Sequence, residues 1–332
     1  MRAPDFWGAP AGPVARALAP LGALYGAAAR ARLVRPAPRA NIPTIAIGGV
    51  TLGGDGKTPT ALALGAMLQE RRERPFFLSR GHGRRNGSAA PFIVDPARHD
   101  ARDVGDEALL LARVAPTVVG ADRAAAARLA QTLGAGALIL DDGLHSRRLD
   151  PDLAILVVDA DYAAGNGFCP PAGPLRAPLA AQLAATDLVI VIGEGRGLHE
   201  PLTRPAFPAR LAPDPAVAAR IAGARVFAFA GIGRPAKFAE TLDEIGAEMA
   251  GFRWFPDHHC YSPRELAALA RDAKRLRAVL VTTEKDAARI GSNLDGLGVD
   301  LEILPITLLF ERPEDVNSLL ADFLARARAA RL

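Results

Sequence analysis

From residue 42 onward, short runs of nearly unbroken apolar residues alternate with longer helical stretches. That alternation restricts the fold more than any other feature of the chain. The runs are TIAIG (44–48), PFFLS (75–79), PTVVG (116–120), ALILDD (137–142), AILVVD (154–159) and LVIVIG (188–193). Between them, 58–72, 106–113 and 123–133 read as helices. A strand apolar on both faces must be covered on both, which is the condition of a parallel sheet with crossover helices. Residues 201–220 carry five prolines and no clean periodicity, and read as a linker or irregular connection. The α/β pattern then resumes with RVFAFAG (225–231), AVLVTTEKD (278–286) and LEILPITLLF (301–310). At 332 residues the chain is long enough for two domains. The expected division is an N-terminal arm over 1–40, a larger α/β domain over 41–222 that includes the linker, and a smaller α/β domain over 223–332.

The first strand runs into GGVTLGGDGKTPT (48–60), which has the composition of a phosphate-binding loop. The strict pattern asks for a glycine five places before the glycine of Gly-Lys-Thr, and Thr51 stands there instead. The position is otherwise right: a strand precedes the loop and a helix follows it. Glycines let backbone N–H groups approach phosphate oxygens, and the helix N-terminus adds its positive dipole end. Gly53, Gly54, Asp55, Gly56, Lys57 and Thr58 are the candidate cradle, with Lys57 directed at the β- and γ-phosphates and Thr58 at Mg²⁺. ALILDD ends in Asp141 and Asp142 at the carboxyl edge of a strand, where α/β sheets bind ligands. One of the two would hold the metal, directly or through water. The bland alternative is a strand-end turn.

Other stretches leave two readings open. Asp106 and Glu107 in VGDEALLLA (104–112) suit a helix N-terminus, or a general base. SRGHGRR (79–85) presents Arg80 and Arg84, and PPAGPLRAP (170–178) presents Arg176. These loops suit an anionic substrate, or simply solvation. FPDHHCYS (255–262) offers His258 and His259 beside an aspartate, for acid–base work or for structural hydrogen bonds. No further clustered His or Cys accompanies them as zinc ligands. TTEKDA (282–287) could bind ligand or cap a helix. Cys169 and Cys260 lie too far apart to suggest a disulfide framework or a metal knuckle, which fits a reducing compartment.

The net charge of +4 is uneven, because the first forty residues hold six arginines against Asp5. The remaining chain is therefore close to neutral, which argues against a nucleic-acid surface on the folded body. The same arm carries ALAPLGALYGAAA (17–29), uncharged but well short of the ~20 residues a spanning helix needs. It has no convincing cleavage site for a secretory signal, and its arginines lie mainly on the wrong flank. A helix lying in an anionic membrane surface, with Trp7 and Tyr25 at headgroup depth, is one reading. A helix packed on the body is the other.

Taken in order, GGVTLGGDGKTPT, SRGHGRR, VGDEALLLA, LILDDGL, PAGPLRAP, GIGRPAKF, DHHCYS and TTEKDA resemble the lipid A 4′-kinase (tetraacyldisaccharide 4′-kinase) family over nearly the whole chain. The resemblance implies a P-loop NTPase-like fold and transfer of the ATP γ-phosphate to the 4′-hydroxyl of an acylated glucosamine disaccharide 1-phosphate. It implies a peripheral location at the cytoplasmic face of the Gram-negative inner membrane, held through the N-terminal helix. It assigns Lys57 and Thr58 to ATP·Mg²⁺, Asp141 and Asp142 to the metal, and Asp106 to the catalytic base. The paired histidine is placed at His258, with His259 as the fallback. Arg80, Arg84, Glu107, Arg176 and His259 are the expected substrate contacts. Four residues depart from the family's usual pattern: His82 replaces Tyr, His145 replaces Gln, Ser146 replaces His or Asn, and Ala177 replaces Glu. The alternative function is a membrane-associated regulatory P-loop ATPase. Many such ATPases place a lysine where this chain has Leu52.

Overall fold

The computed structural model describes residues 4–85, 90–195, 197, 198, 202, 204–294 and 297–331. In chain order the strands of the larger body are β1 (Thr44–Gly49), β2 (Pro75–Ser79), β3 (Phe92–Ile93), β4 (Thr117–Val119), β5 (Ala137–Leu140), β6 (Leu153–Asp159), β7 (Leu188–Ile192) and β8 (Ala206–Pro213). The smaller body adds β9 (Arg225–Ala230), β10 (Glu248–Trp254), β11 (Val279–Thr283) and β12 (Leu301–Leu304), and β13 (Ile306–Phe310) follows. Among the described residues the large sheet has the order β13-β8-β7-β6-β1-β5-β2-β4-β3, and the small one β10-β9-β11-β12.

β1 lies at the centre of the large sheet, parallel to both β5 and β6. Every residue of β1, β2, β5 and β6 is buried, as their unbroken apolar character requires. One face packs the helices Lys57–Glu70 and Pro313–Ala329 through Leu64, Leu68, Leu320 and Phe323 against Ile45, Ile155 and Ile190. The other face packs helix Arg123–Thr132 through Ala126, Ala127 and Ala130. The two edges are antiparallel, β3 on β4 and β13 on β8.

Two expectations change here. The proline-rich stretch is not a simple linker: residues 206–213 form β8, inside the large sheet, and helix Pro215–Ile221 seats Val217 and Ile221 in the core of the smaller body. Residues 201 and 203 lie outside the described residues. The run LEILPITLLF also divides at Pro305, which has no N–H to continue a ladder. Its first half pairs with β11 in the small sheet and its second half with β8 in the large one. The chain therefore returns to the larger body after residue 305, and the smaller body does not extend to the C-terminus. The two crossings touch, with the Asp214 N–H donating to the Pro305 carbonyl at 2.9 Å.

The N-terminal helix Pro13–Leu33 packs on the body along one face, as the second reading of the arm expects, and leaves apolar side chains exposed elsewhere. Ala15, Gly22, Gly26, Ala29 and Leu33 form a buried seam of mostly small residues on the body. A Cβ on Gly22 would stand 2.6 Å from the Cys169 carbonyl, so only glycine allows that approach. Val14, Leu21 and Leu24 stay exposed, Leu24 at 70%. Trp7 differs from the expectation: its indole N–H donates to the Pro171 carbonyl at 3.1 Å, which ties it to the body instead of leaving it free for a headgroup.

Candidate active site

The loop after β1 turns through Gly54 and Gly56, both left-handed at φ 74° and 91°. A Cβ on Gly54 would meet the Arg234 side chain at 2.8 Å, and one on Gly56 would meet Ile192 at 2.4 Å. Glycine is required at both, for conformation and for space. Gly56 is the N-cap of helix Lys57–Glu70, whose first N–H groups face the loop. Lys57 makes no hydrogen bond or ion pair with any described residue, although its charge is felt by Asp55, Glu107, Asp141 and Asp142. It is a cation available to phosphate.

Asp55 points into the loop instead of out of it. Its carboxylate accepts the Thr51 N–H at 2.8 Å and the Thr51 hydroxyl. Arg234, from the smaller body, closes the group with Nη2 at 2.9 Å from Asp55 and Nη1 at 2.6 Å from Asp159. Lys237 adds a second contact to Asp159 at 2.5 Å. Thr51 is thus a built part of the loop, holding its aspartate.

Beyond the helix N-terminus, the Thr58 hydroxyl lies 3.4 Å from Asp141 Oδ2 and 3.5 Å from Glu107 Oε1. Asp141 Oδ1 is buried with no hydrogen-bond partner among the described residues. Burial, with the negative charges of Glu107 and Asp142 beside it, pushes the Asp141 carboxyl up to about 7. Glu107 is held below its ordinary value by the Lys285 ammonium, 2.7 Å away, against the effect of its burial. Asp142 faces the other way. It takes a left-handed conformation at φ 53° and pairs with Arg176 at 2.9 Å. Burial works to raise its carboxyl, but Arg176, Lys57 and His145 hold it below the usual range.

Asp106, buried at the start of helix Asp106–Ala112, meets the smaller body. His258 Nδ1 stands 3.5 Å from its Oδ2, and Arg289 approaches the same oxygen through Nε at 2.7 Å and Nη2 at 2.5 Å. Burial alone would raise this carboxyl, yet His258, Arg289 and Lys285 together hold it well below the carboxylate range. The partner effect on His258 is upward, through its hydrogen bond to Asp106, with burial opposing. His258 is left-handed at φ 57° and stacks on His82 with ring centroids 5.0 Å apart.

Not every expected residue reaches the site. His259 is held inside the smaller body, bonded to Glu265 at 3.1 Å and stacked on Phe255. The geometry therefore favours His258 over the fallback. Arg80 and Arg176 line a cleft of about 910 Å³ with Arg123, Arg147, Arg148 and His145. Arg84 is not among the cleft residues; its Cδ lies against Gly81. Sequence reasoning missed Arg289, Lys285 and Arg234. TTEKDA contains Lys285, and Arg289 follows two residues after the motif, four on from Lys285 and on the same helix face.

A model of the tetraacyldisaccharide-1-P 4′-kinase family matches residues 14–325 of this chain. The chain belongs to that family. It is 50% identical to the tetraacyldisaccharide 4′-kinase of Methylobacterium sp. (strain 4-46) across 100% of this chain and 98% of that one. It is 46% identical to that of Bradyrhizobium diazoefficiens across 100% and 99%. The crystal structure of LpxK from Aquifex aeolicus in complex with ATP shares the fold, at a TM-score of 0.73 and 24% identity over 94% of this chain and 99% of that one.

The four residues at which the resemblance implied a departure each make a local contact. The His82 ring packs on His258. His145 Nε2 lies 2.7 Å from Gln182 Oε1, and burial with Arg176 nearby pushes its pKa down to about 4. The Ser146 hydroxyl donates to the Gly143 carbonyl at 2.9 Å. Ala177 is buried under the N-terminal helix against Ala29 and Leu33.

Proposed function

We propose that this chain is a kinase that transfers the γ-phosphate of ATP to the 4′-hydroxyl of an acylated glucosamine disaccharide 1-phosphate in lipid A biosynthesis. One observation carries the site assignment. Asp106 of the larger body meets His258 of the smaller one at 3.5 Å, beside a phosphate loop whose Lys57 is unpaired among the described residues. A sugar hydroxyl is a poor nucleophile, so its proton must leave as the new bond forms. Asp106 takes that proton, the 4′-oxygen pair forms the bond to phosphorus, and the bond to the β–γ bridging oxygen breaks with its electrons leaving on ADP. The loop N–H groups and Lys57 meet the phosphate charge, and His258 orients Asp106 from across the cleft. Both partners of that pair are in place only when the two bodies are together, so closure couples chemistry to substrate capture.

The residues present fit a magnesium ion. An orphaned oxygen on Asp141, beside the Thr58 hydroxyl and in surplus negative charge, is a donor set suited to a divalent cation. Among the described residues no three His, Cys, Asp or Glu side chains converge to hold a metal by themselves. That suits Mg²⁺, which keeps waters and takes phosphate oxygens alongside one or two protein ligands. Thr58 and Asp141 would hold it, with Asp142 turned instead toward Arg176. When bound, the ion neutralises charge on the transferring phosphate.

No described helix is long and apolar enough to cross a membrane. The exposed Val14, Leu21 and Leu24 support a peripheral contact of the N-terminal helix with the bilayer that carries the substrate, at the cytoplasmic face of the inner membrane. The arginines of the adjoining cleft suit the anionic disaccharide. The decisive experiment follows label from γ-labelled ATP into the acylated disaccharide in detergent micelles, with wild type beside Asp106→Ala and ATP binding measured for each. Labelled lipid with wild type, and a rate loss of ~10²-fold or more in the variant with ATP binding kept, is the expected result. Release of free phosphate regardless of lipid would instead identify a regulatory ATPase.

A further inference from the structure

Arg289 has no part in the mechanism above, yet it makes the shortest contacts to Asp106. It lies in helix Glu284–Ile290 of the smaller body, with its side chain 5% exposed. One edge of its guanidinium crosses the interface: Nε donates to Asp106 Oδ2 at 2.7 Å, and Nη2 stands 2.5 Å from the same oxygen as an ion-pair contact without hydrogen-bond geometry. The other edge is anchored at home, where Nη1 donates to Asp286 Oδ1 at 3.0 Å and to the Gly231 carbonyl. Asp286 is itself fixed by the Tyr261 hydroxyl at 2.8 Å, the Gly231 N–H at 3.0 Å and the Thr283 hydroxyl at 2.6 Å. A planar fork gripped in this way is aimed before any substrate arrives. His258 approaches the same Oδ2, and no described residue hydrogen-bonds Oδ1.

We propose that Arg289 is the positioning residue for Asp106: by holding Oδ2 together with His258, it keeps the carboxylate ionised and leaves Oδ1 as the oxygen that receives the acceptor proton. The proposal rests on the kinase reading and adds to it a residue from the smaller body. The groups facing Asp106 are Arg289, His258 and Lys285 from that body, and the neighbouring Glu107. Asp257 and Asp286 stand behind as partners of His258 and Arg289. Two consequences follow from geometry. When the bodies separate, Asp106 loses both orienting partners at once. A lysine at 289 could supply the charge but not the fork.

The test is the pH profile of kcat/KM for the lipid acceptor in wild type, Arg289→Gln and Arg289→Lys, with ATP binding and thermal melting measured alongside. In the glutamine variant a buried carboxylate loses its nearest cation. Its acid limb should move up by ~1 pH unit or more, with kcat down ~10-fold or more and ATP affinity kept. The lysine variant should restore the acid limb while recovering only part of kcat. An unmoved acid limb in a folded Arg289→Gln protein overturns the proposal, as does parallel loss of ATP binding. Should the glutamine variant fail to fold, the lysine variant decides: full wild-type kcat overturns the proposal, and a lowered kcat at unchanged lipid KM supports it. Wild-type protein that phosphorylates no lipid overturns the kinase reading itself, whereas active wild type with an unmoved limb overturns only the role of Arg289.

Discussion

Thr51 and Asp55 close the phosphate loop on itself: the Asp55 carboxylate accepts both the N–H and the hydroxyl of Thr51, four residues earlier. The position where the strict pattern has glycine is therefore occupied by the residue that satisfies a buried acid. Reverting it to the pattern, Thr51→Gly, should harm the protein. Loss of the hydroxyl leaves Asp55 short of a partner and costs about 1–2 kcal/mol, read as a lower melting temperature. If about 1 kcal/mol of this carries into the loop's ligand-ready shape, the Kd for ATP rises about fivefold. Thr51→Ser keeps the hydroxyl and should stay close to wild type.

Arg234 joins the two bodies at the phosphate loop through Asp55 and Asp159, both nearly inaccessible. Arg234→Ala leaves the two buried carboxylates with Lys237 as their one paired cation, beside the Thr51 donors on Asp55 and the Asp161 and Tyr162 N–H groups on Asp159. A loss of about 2–4 kcal/mol is expected, because stranding a buried charge costs more than the pair contributed. Small-angle scattering should show a larger radius of gyration for the variant, since the contact spans the bodies. An unchanged radius and melting temperature would show that the latch does not hold them together.

His258 and Asp106 titrate in opposite senses. The His258 pKa is raised by Asp106, so its stabilisation is fully present below the ordinary histidine value, ~6.5, and is lost as pH rises through the raised folded value. The Asp106 pKa is depressed, so its stabilisation is present above the ordinary carboxylate value and is lost as pH falls through the folded one. The pair therefore stabilises the closed form between those limits. His258→Gln should lower the melting temperature near pH ~5.5, below the ordinary histidine value, and the difference should shrink as pH rises through the raised folded value. A difference independent of pH would show that His258 acts by packing on His82 and not by charge.

Leu24 is the most exposed of the large apolar residues on the N-terminal helix, and points away from the seam of Ala15, Gly22, Gly26 and Ala29. Leu24→Glu should leave the fold intact and weaken sedimentation with anionic vesicles by ~10-fold or more, since burying a leucine is worth about 1.5–3 kcal/mol. Activity on a short-chain, micelle-free acceptor should not change. Equal vesicle binding by wild type and variant would remove the helix from the membrane contact.

Much of this architecture was legible from local pattern. Strands buried on both faces write themselves as unbroken apolar runs, so β1, β2, β5, β6, β7 and β9 fall where the sequence places them. The phosphate loop is legible too, because close backbone approach demands glycine at Gly54 and Gly56 whatever surrounds them. Proline misled in two places. In 201–220 it obscured β8, which tolerates Pro208 and Pro213 within the sheet, and at Pro305 it ended one strand and opened another in a different sheet. Local sequence carries no record of which sheet a strand joins.

The sequence by itself determined the kind of site: a glycine loop with Lys57 and Thr58, acids at a strand end, and a histidine pair set far along the chain. Tertiary structure decided which members meet. It brought His258 rather than His259 to Asp106, turned Asp141 toward Thr58 and Asp142 toward Arg176, and recruited Arg234, Lys285 and Arg289 from the smaller body. The physical reason is that backbone conformation and hydrophobic burial act over a few residues and can be read locally. The direction of a charged side chain is settled by partners distant in the chain: Arg176 is 34 residues from Asp142, Asp141 is 83 from Thr58, and Arg289 is 183 from Asp106, a neighbour only because the chain crosses to the smaller body near Asp214.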